Sequence, residues 1–295
     1  MDIKVKDTDL PGLYQASNSA SIKEQSKYFK GILSYIILLT IAALFAFFSD
    51  NNPNAYGKII SVILFLSSLG VMIWLRVSKP EDIWYNGRAV AESVKTRTWR
   101  WMLRAEPYED IEDVEIMRKK FIADLKTILE HNKSLIGKLG ITTIVKEPIS
   151  DKMILVRNLP INDRIEVYRK ERITNQALWY SKKAKFNKDK STQWFWVTVS
   201  LHAIAIIGLL YNIKDPNLRL PIETIAVVAS GVLTWLQAKK HNELSASYTL
   251  TAHEIMLIKS ETTRINTESE LSEYIMNCEN AFSREHTQWI ARKNE

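Results

Sequence analysis

The sequence predicts an all-α integral membrane protein with four transmembrane helices in two hairpins plus a cytoplasmic helical bundle. Three observations support this prediction: apolar residues are concentrated in four runs, the runs form two close pairs, and basic residues flank each pair. The chain has 295 residues, 46% of them hydrophobic and 25% charged, which are ordinary values. The distribution of these residues therefore carries the prediction, and it excludes a plain soluble enzyme and a disordered chain.

The four apolar runs cover residues 31–49, 59–75, 191–213 and 220–238. A helix rises about 1.5 Å per residue, so a bilayer core of about 30 Å needs roughly 20 residues. The first and third runs reach this length, and the shorter second run is flanked by lysine and arginine, whose side chains can extend to the interface. The alternative is a set of buried core helices, which four runs in two tight hairpins make less favourable.

Both termini and the segment between the hairpins are predicted to be cytoplasmic. The tips at 50–57 and 212–221 are short and hold few basic residues, whereas lysine and arginine gather at the opposite ends of the spans. Tryptophans near these inner ends fit an aromatic belt; they are Trp74, Trp194, Trp196 and Trp235. A polar N-terminus without a short apolar segment before the first run indicates no cleaved signal peptide, as in a multi-pass bacterial inner-membrane protein; a eukaryotic membrane is the alternative.

The predicted divisions follow from these runs. They are a cytoplasmic N-terminal helix at 1–30, a first transmembrane hairpin at 31–77, a cytoplasmic helical region at 78–190, a second hairpin at 191–238 and cytoplasmic C-terminal helices at 239–295.

The two hairpins are predicted to be an internal repeat in the same orientation. Residues 70–75 (GVMIWL) and 231–236 (GVLTWL) share four of six residues at a spacing of 161. Parallel repeats are found in some transporters, but inverted ones mark many more, so this pattern weakens a transporter interpretation.

Helical periodicity predicts most of the remaining chain. The predicted helices cover 81–104, 109–139, 161–190 running on into the third span, 239–257, and 267–292 opened by a capping box at Thr267–Glu270. Residues 141–159 contain the β-branched runs ITTIV and MILV and are predicted to be a loop or a short strand pair.

Site signatures are absent from the sequence. It contains no P-loop, no Gly-x-Gly-x-x-Gly, no zinc motif and no nucleophile elbow, and its one cysteine is Cys278. We therefore expect no catalytic residues, no metal ligands, no cofactor and no enzymatic activity. The net charge of +7 is explained by basic residues at a membrane surface, so no nucleic-acid partner is expected.

Four polar features remain. Arg88 and Glu92 lie four residues apart and are expected to pair on one helix face, and Glu254, 162 residues after Glu92, is its suggested repeat partner. His202 lies in the middle of the third run, where it either bonds a neighbouring helix or lines a pore. Glu223 lies near the outer end of the fourth run, in the headgroup region or, in an oligomer, in a carboxylate ring that favours cations.

Several segments together resemble the SLATT family, the SMODS and SLOG-associating two-transmembrane effectors. They are LPGLYQASNSASIKEQSKYFK, IWYNGRAVAESVKTRTWRWMLRAEPY, ERITNQALWYSKKAKFN, NELSASYTLTAHEI and INTESELSEYIMNCENAFSREHTQWIARK, which cover about residues 10–292 as two fused modules. These are helix-packing patterns without chemistry, with Trp84, Trp179 and Tyr180 among the expected packing residues.

The resemblance implies a bacterial membrane effector of antiphage defence that permeabilises the inner membrane when infection is sensed, with a separate sensor protein or a nucleotide signal as trigger. Four spans with few charges enclose little space, so an oligomeric pore or channel is expected, with the lipid bilayer and further copies of the chain as partners. A non-conducting membrane scaffold that recruits a cytoplasmic partner and a small-solute transporter are the alternatives.

Overall fold

The computed structural model describes residues 3–50, 55–109, 113–140, 146–215, 218–261 and 265–293, with side chains omitted at 134, 261 and 284–293. Helices and short helical turns make up its regular structure, and the described residues contain no strand, so the all-α prediction is confirmed for them. The helices are α1 (Gly12–Ser49), α2 (Tyr56–Ser78), α3 (Pro80–Met102), α4 (Val114–His131), α5 (Asp151–Arg157), α6 (Ile161–Tyr168), α7 (Asn175–Lys214), α8 (Ile222–Lys239), α9 (His241–Glu261) and α10 (Glu268–Lys293). Short 3-10 turns cover Asp7–Asp9 and Lys133–Lys138, and a π-helical segment, Arg169–Thr174, joins α6 to α7.

Three helical segments are long and apolar enough to cross a membrane: Gly12–Ser49, Tyr56–Met102 and Ile161–Lys214. Their most apolar windows are only 11%, 11% and 6% buried, which is incompatible with core helices of a soluble fold. The fourth predicted span corresponds to α8, which has 18 residues and carries a charge near each end, at Glu223 and Lys239. These charges lower its hydropathy, and a fourth span stays a prediction.

The chain divides into two compact units, each considered by itself. The first unit comprises Met1–Glu24, Glu81–Ala184 and Ala246–Glu295, and the second comprises Gln25–Pro80 and Lys185–Ser245. A continuous apolar core in the first unit includes Trp101, Tyr108, Phe121, Met153 and Ile275, all at most 2% exposed. The second unit consists of the apolar parts of α1 and α7 together with α2 and α8.

The backbone repeats at the spacing seen in the sequence. Lys79 after α2 and Lys240 after α8 both have left-handed backbones, with φ of 45° and 49°, and they lie 161 residues apart. Each lysine donates its N–H to the carbonyl four residues back, which ends one helix and starts the next. The burial pattern follows this register, because Val90 and Val94 of α3 correspond to the buried Thr251 and Ile255 of α9.

The predicted helix at 109–139 is shorter than expected, and residues 110–112 lie outside the described part. Asp113 caps α4 by accepting the Glu115 N–H, and the helix ends at His131. Asn132 stops it, because its side-chain amide donates to the Ile128 carbonyl at 2.8 Å and its backbone leaves helical geometry. The 3-10 turn then follows.

The prediction of a loop or strand pair at 141–159 is wrong for residues 151–157, which form α5; residues 141–145 are outside the described part. Ser150 caps this helix by accepting the Met153 N–H at 3.3 Å. Met153 and Val156, spaced three apart, are both fully buried in the core. Tertiary burial at helical spacing therefore outweighs the strand propensity of the β-branched run.

The capping box at the start of α10 is confirmed. The Thr267 hydroxyl accepts the Glu270 N–H at 3.3 Å, and the Glu270 carboxylate accepts the Thr267 N–H at 3.1 Å. These two bonds hold the pKa of Glu270 below its ordinary value, because they stabilise the charged carboxylate.

Candidate functional site

The two polar residues of the predicted pore lie exposed in the second unit. The His202 ring Nδ1 lies 2.8 Å from the Thr198 carbonyl of its own helix, one turn earlier. Glu223 lies in the first turn of α8, where a carboxylate is favoured by the positive end of the helix dipole. Each side chain thus has a local explanation, and their exposure leaves both available to neighbouring copies.

The first packing motif brings α1 against α3 within the first unit. A Cβ on Gly87 would lie 3.1 Å from the Ser17 carbonyl, so glycine permits a close approach of the two helices. The Ser21 hydroxyl donates to the Trp84 carbonyl at 3.1 Å, and the Trp84 ring stacks on Tyr85. Trp84 is therefore a helix-packing residue.

The expected Arg88–Glu92 pair is present within α3. Arg88 Nη2 lies 2.7 Å from Glu92 Oε1, with Glu92 largely buried and Arg88 half-buried. The repeat register that relates Lys79 to Lys240 makes His253 the equivalent of Glu92, so the suggested equivalence of Glu254 is displaced by one residue. Glu254 is half-buried on α9.

The second motif uses aromatic rings where the first uses small residues. Trp179 and Tyr180 of α7 contact the Tyr248 ring of α9, with centroids 5.5 and 5.6 Å apart. Tyr248 lies 161 residues after Gly87, at the equivalent position of the repeat. The two modules therefore use the same pair of helices with different side chains at the contact.

A buried charged cluster in the first unit escaped the sequence analysis. Glu279 of α10 is fully buried and accepts two parallel bonds from Arg172, from Nε at 2.9 Å and from Nη2 at 2.8 Å. The Tyr168 hydroxyl and the Thr96 hydroxyl each donate to the same carboxylate at 2.9 Å. Burial, followed by the Glu279 charge, raises the pKa of Tyr168, so its proton stays in place as a donor.

Two further arginines hold helix ends in the same unit. Arg157 donates Nη1 to the Trp101 carbonyl and Nη2 to the Tyr108 carbonyl. Arg164 donates Nη1 to the Leu103 carbonyl at 2.9 Å and also pairs with Glu268 at the start of α10. These guanidinium groups satisfy carbonyls left free where α3 ends at Met102. The arrangement is structural, and among the described residues no His, Cys, Asp or Glu cluster could hold a metal.

His241 gives the second unit a predicted dependence on pH. Its Nδ1 lies 2.7 Å from the Asn187 side-chain oxygen, and burial, followed by the charges of Lys239 and Lys190, lowers its pKa. A lowered folded-state pKa means that the unfolded chain binds more protons below about pH 6.5, so stability is lost as the pH falls through the folded-state value. We expect His241→Gln to reduce the acid-induced fall in melting temperature between pH 7 and pH 5, measured by circular dichroism. His131, exposed at the end of α4, is the control, and an equal change in His131→Gln would contradict the assignment.

Comparison with protein families matches both halves of the chain. Residues 11–165 match SMODS and SLOG-associating 2TM effector domain 3, and residues 168–289 match SMODS and SLOG-associating 2TM effector domain 1. No curated protein and no solved structure matches the chain. The two matched segments meet at the end of α6, so the tandem of two modules is confirmed.

Proposed function

Because the chain belongs to the SLATT family of two-transmembrane effectors, as two modules in tandem, we propose that this membrane effector opens an oligomeric pore in the bacterial inner membrane during antiphage defence. The positive-inside pattern supports cytoplasmic termini and a cytoplasmic position for the first unit. A separate sensor protein or a nucleotide signal is the proposed trigger.

The observation that carries the proposal is the reversed polarity of α2. Its buried residues are the two serines, Ser61 and Ser68, whereas isoleucine, valine, leucine, phenylalanine and methionine are exposed along it. The Ser61 hydroxyl donates to the Ala42 carbonyl of α1 at 2.8 Å, so the small polar side chain bridges the hairpin. Small polar residues inside and large apolar residues outside are typical of helices in lipid.

Pore formation requires more than one chain. A few spans enclose no conduit by themselves, and closed cyclic symmetry is the usual way for identical subunits to surround one. The exposed apolar surfaces of α2 and α7 can serve for lipid contact and for contact between copies. A non-conducting scaffold would use the same surfaces as an anchor only, so ion flux distinguishes the two functions.

We expect induced expression in bacteria to depolarise the inner membrane, with a potential-sensitive dye reporting the loss. A second dye too large for an ion channel should stay outside, because a pore of helices admits small ions first. The cells are assayed with and without phage infection, so that a trigger is supplied. Normal membrane potential in infected cells, at verified membrane expression, would favour the scaffold. Entry of the large dye would indicate gross membrane disruption.

The same assay tests the two polar residues. If they line the pore, His202→Ala should slow depolarisation and Glu223→Ala should reduce the preference for cations, because a carboxylate ring attracts them. Ser200→Ala is the matched control, since Ser200 is polar and exposed two residues before His202 on α7. Unchanged ion flux in both variants would remove them as pore residues without affecting the rest of the proposal.

A further inference from the structure

A cavity of about 200 Å³ lies in the first unit where the N-terminal segment, α3 and the start of α7 meet. Its walls come from both sides of the module boundary, since Lys95 and Trp99 precede residue 165 whereas Arg172 and Trp179 follow residue 168. The π-helical segment Arg169–Thr174 contributes Glu171 and Arg172. Segments of this kind are frequent at functional sites, because the extra residue per turn redirects side chains.

Two hydrogen-bond donors among the residues that line this cavity lack acceptors. Trp99 is 2% exposed and Arg172 is 1% exposed, and no acceptor among the described residues bonds Trp99 Nε1 or Arg172 Nη1. A buried donor without a partner costs roughly 1–3 kcal/mol, and more for a charged group. Arg172 uses its other two nitrogens on Glu279, so the guanidinium is held in place with one edge left over.

The charges around the cavity do not supply the missing acceptor. Asp7, the nearest carboxylate to Lys95, is bound by its Nζ at 3.2 Å, and Lys6 balances Glu171 in charge. The remaining walls are aliphatic or aromatic, with Trp99 and Trp179 giving two indole rings. A ligand that fits must therefore bring its own acceptor oxygens and a small apolar or flat body.

We propose that this cavity binds a small organic anion, whose carboxylate or phosphate accepts from Trp99 Nε1 and Arg172 Nη1 and whose flat body lies among the indole rings. The volume is below the usual range of about 300–1,000 Å³ for ligand pockets, which limits the body to about one ring. The site is independent of membrane permeabilisation, because all of its lining residues belong to the first unit.

The test is isothermal titration calorimetry of the full chain in detergent micelles with benzoate, benzamide and inorganic phosphate. Benzoate carries both the acceptor charge and the ring, benzamide keeps the ring without the charge, and phosphate keeps the charge without the ring. We expect benzoate to bind one per chain, and the other two to bind at least about tenfold more weakly, since a hydrogen bond to a charged group contributes roughly 1.5–3 kcal/mol.

Trp99→Phe and Trp101→Phe form a matched pair. Both tryptophans are 2% exposed on α3, and both have a buried indole N–H without an acceptor among the described residues, but only Trp99 lines the cavity. Trp99→Phe should weaken benzoate about tenfold, and Trp101→Phe should leave the affinity unchanged, with melting temperatures showing that both variants fold. Absence of benzoate binding to the unmodified chain, or an equal loss in both variants, would overturn the site. Equally tight binding of benzamide or of phosphate would overturn the ligand class.

Discussion

Replacement of Glu279 by glutamine is expected to destabilise the first unit by about 3–5 kcal/mol, the usual cost of breaking a buried ion pair. The carboxylate accepts four hydrogen bonds, two from Arg172 and one each from Tyr168 and Thr96. A neutral amide offers one acceptor oxygen in place of two and leaves the buried guanidinium charge uncompensated. Because the pKa of Arg172 is raised by Glu279 and by their hydrogen bonds, despite the opposing effect of burial, the arginine stays charged.

The measurement is the shift in melting temperature of the full chain in detergent, followed by circular dichroism. Glu273→Gln is the control, because Glu273 lies on the same helix, is exposed and undergoes the same chemical change. Its shift should be close to zero, as for most exposed positions. A double variant with Arg172→Met and Glu279→Leu should recover much of the stability, since no charge is then left buried alone. Equal shifts for Glu279→Gln and Glu273→Gln would show that the pair does not hold the unit together.

This cluster shows where sequence reasoning stops. Arg172 and Glu279 are 107 residues apart, and Thr96 is 183 residues from Glu279. Nothing in the local sequence distinguishes Arg172 from its basic neighbours, because its burial depends on α10, which lies near the other end of the chain. Polar residues whose partners are distant in sequence are found only when the tertiary contacts are known.

Local patterns were more informative. The long apolar runs predicted the membrane helices because length and hydropathy are sufficient to define a span, and Thr267–Glu270 predicted the start of α10 because a capping box acts within one turn. The short helix α5 was missed, since a run of β-branched residues has no period that separates a strand from a buried helix. The two-module organisation was predicted from repeated packing patterns that remain visible in the sequence.

The repeat itself supplies the second large effect, because Gly70 and Gly231 are equivalent in sequence but differ in surroundings. A Cβ on Gly231 of α8 would lie 2.6 Å from Ile36 Cγ2 of α1, whereas a Cβ on Gly70 would meet nothing within 4 Å. Gly231 is thus the point of close contact between the two hairpins inside the second unit. Overpacking at such a contact typically costs about 1–3 kcal/mol.

We therefore expect Gly231→Val to slow membrane depolarisation at least about fivefold, since about 1 kcal/mol changes an equilibrium by roughly that factor, whereas Gly70→Val has little effect. The clash is with one side chain, so Ile36→Ala combined with Gly231→Val should restore depolarisation, because the three carbons added at one position are removed at the other. Potential-sensitive dye and quantification of protein in the membrane fraction give rate and abundance for all four variants. Failure of Ile36→Ala to rescue Gly231→Val, or equal losses for the two glycine variants, would mean that the contact between α1 and α8 does not control permeabilisation. Rescue would instead tie ion flux to the packing of one module against the other, because Ile36 belongs to the first module and Gly231 to the second.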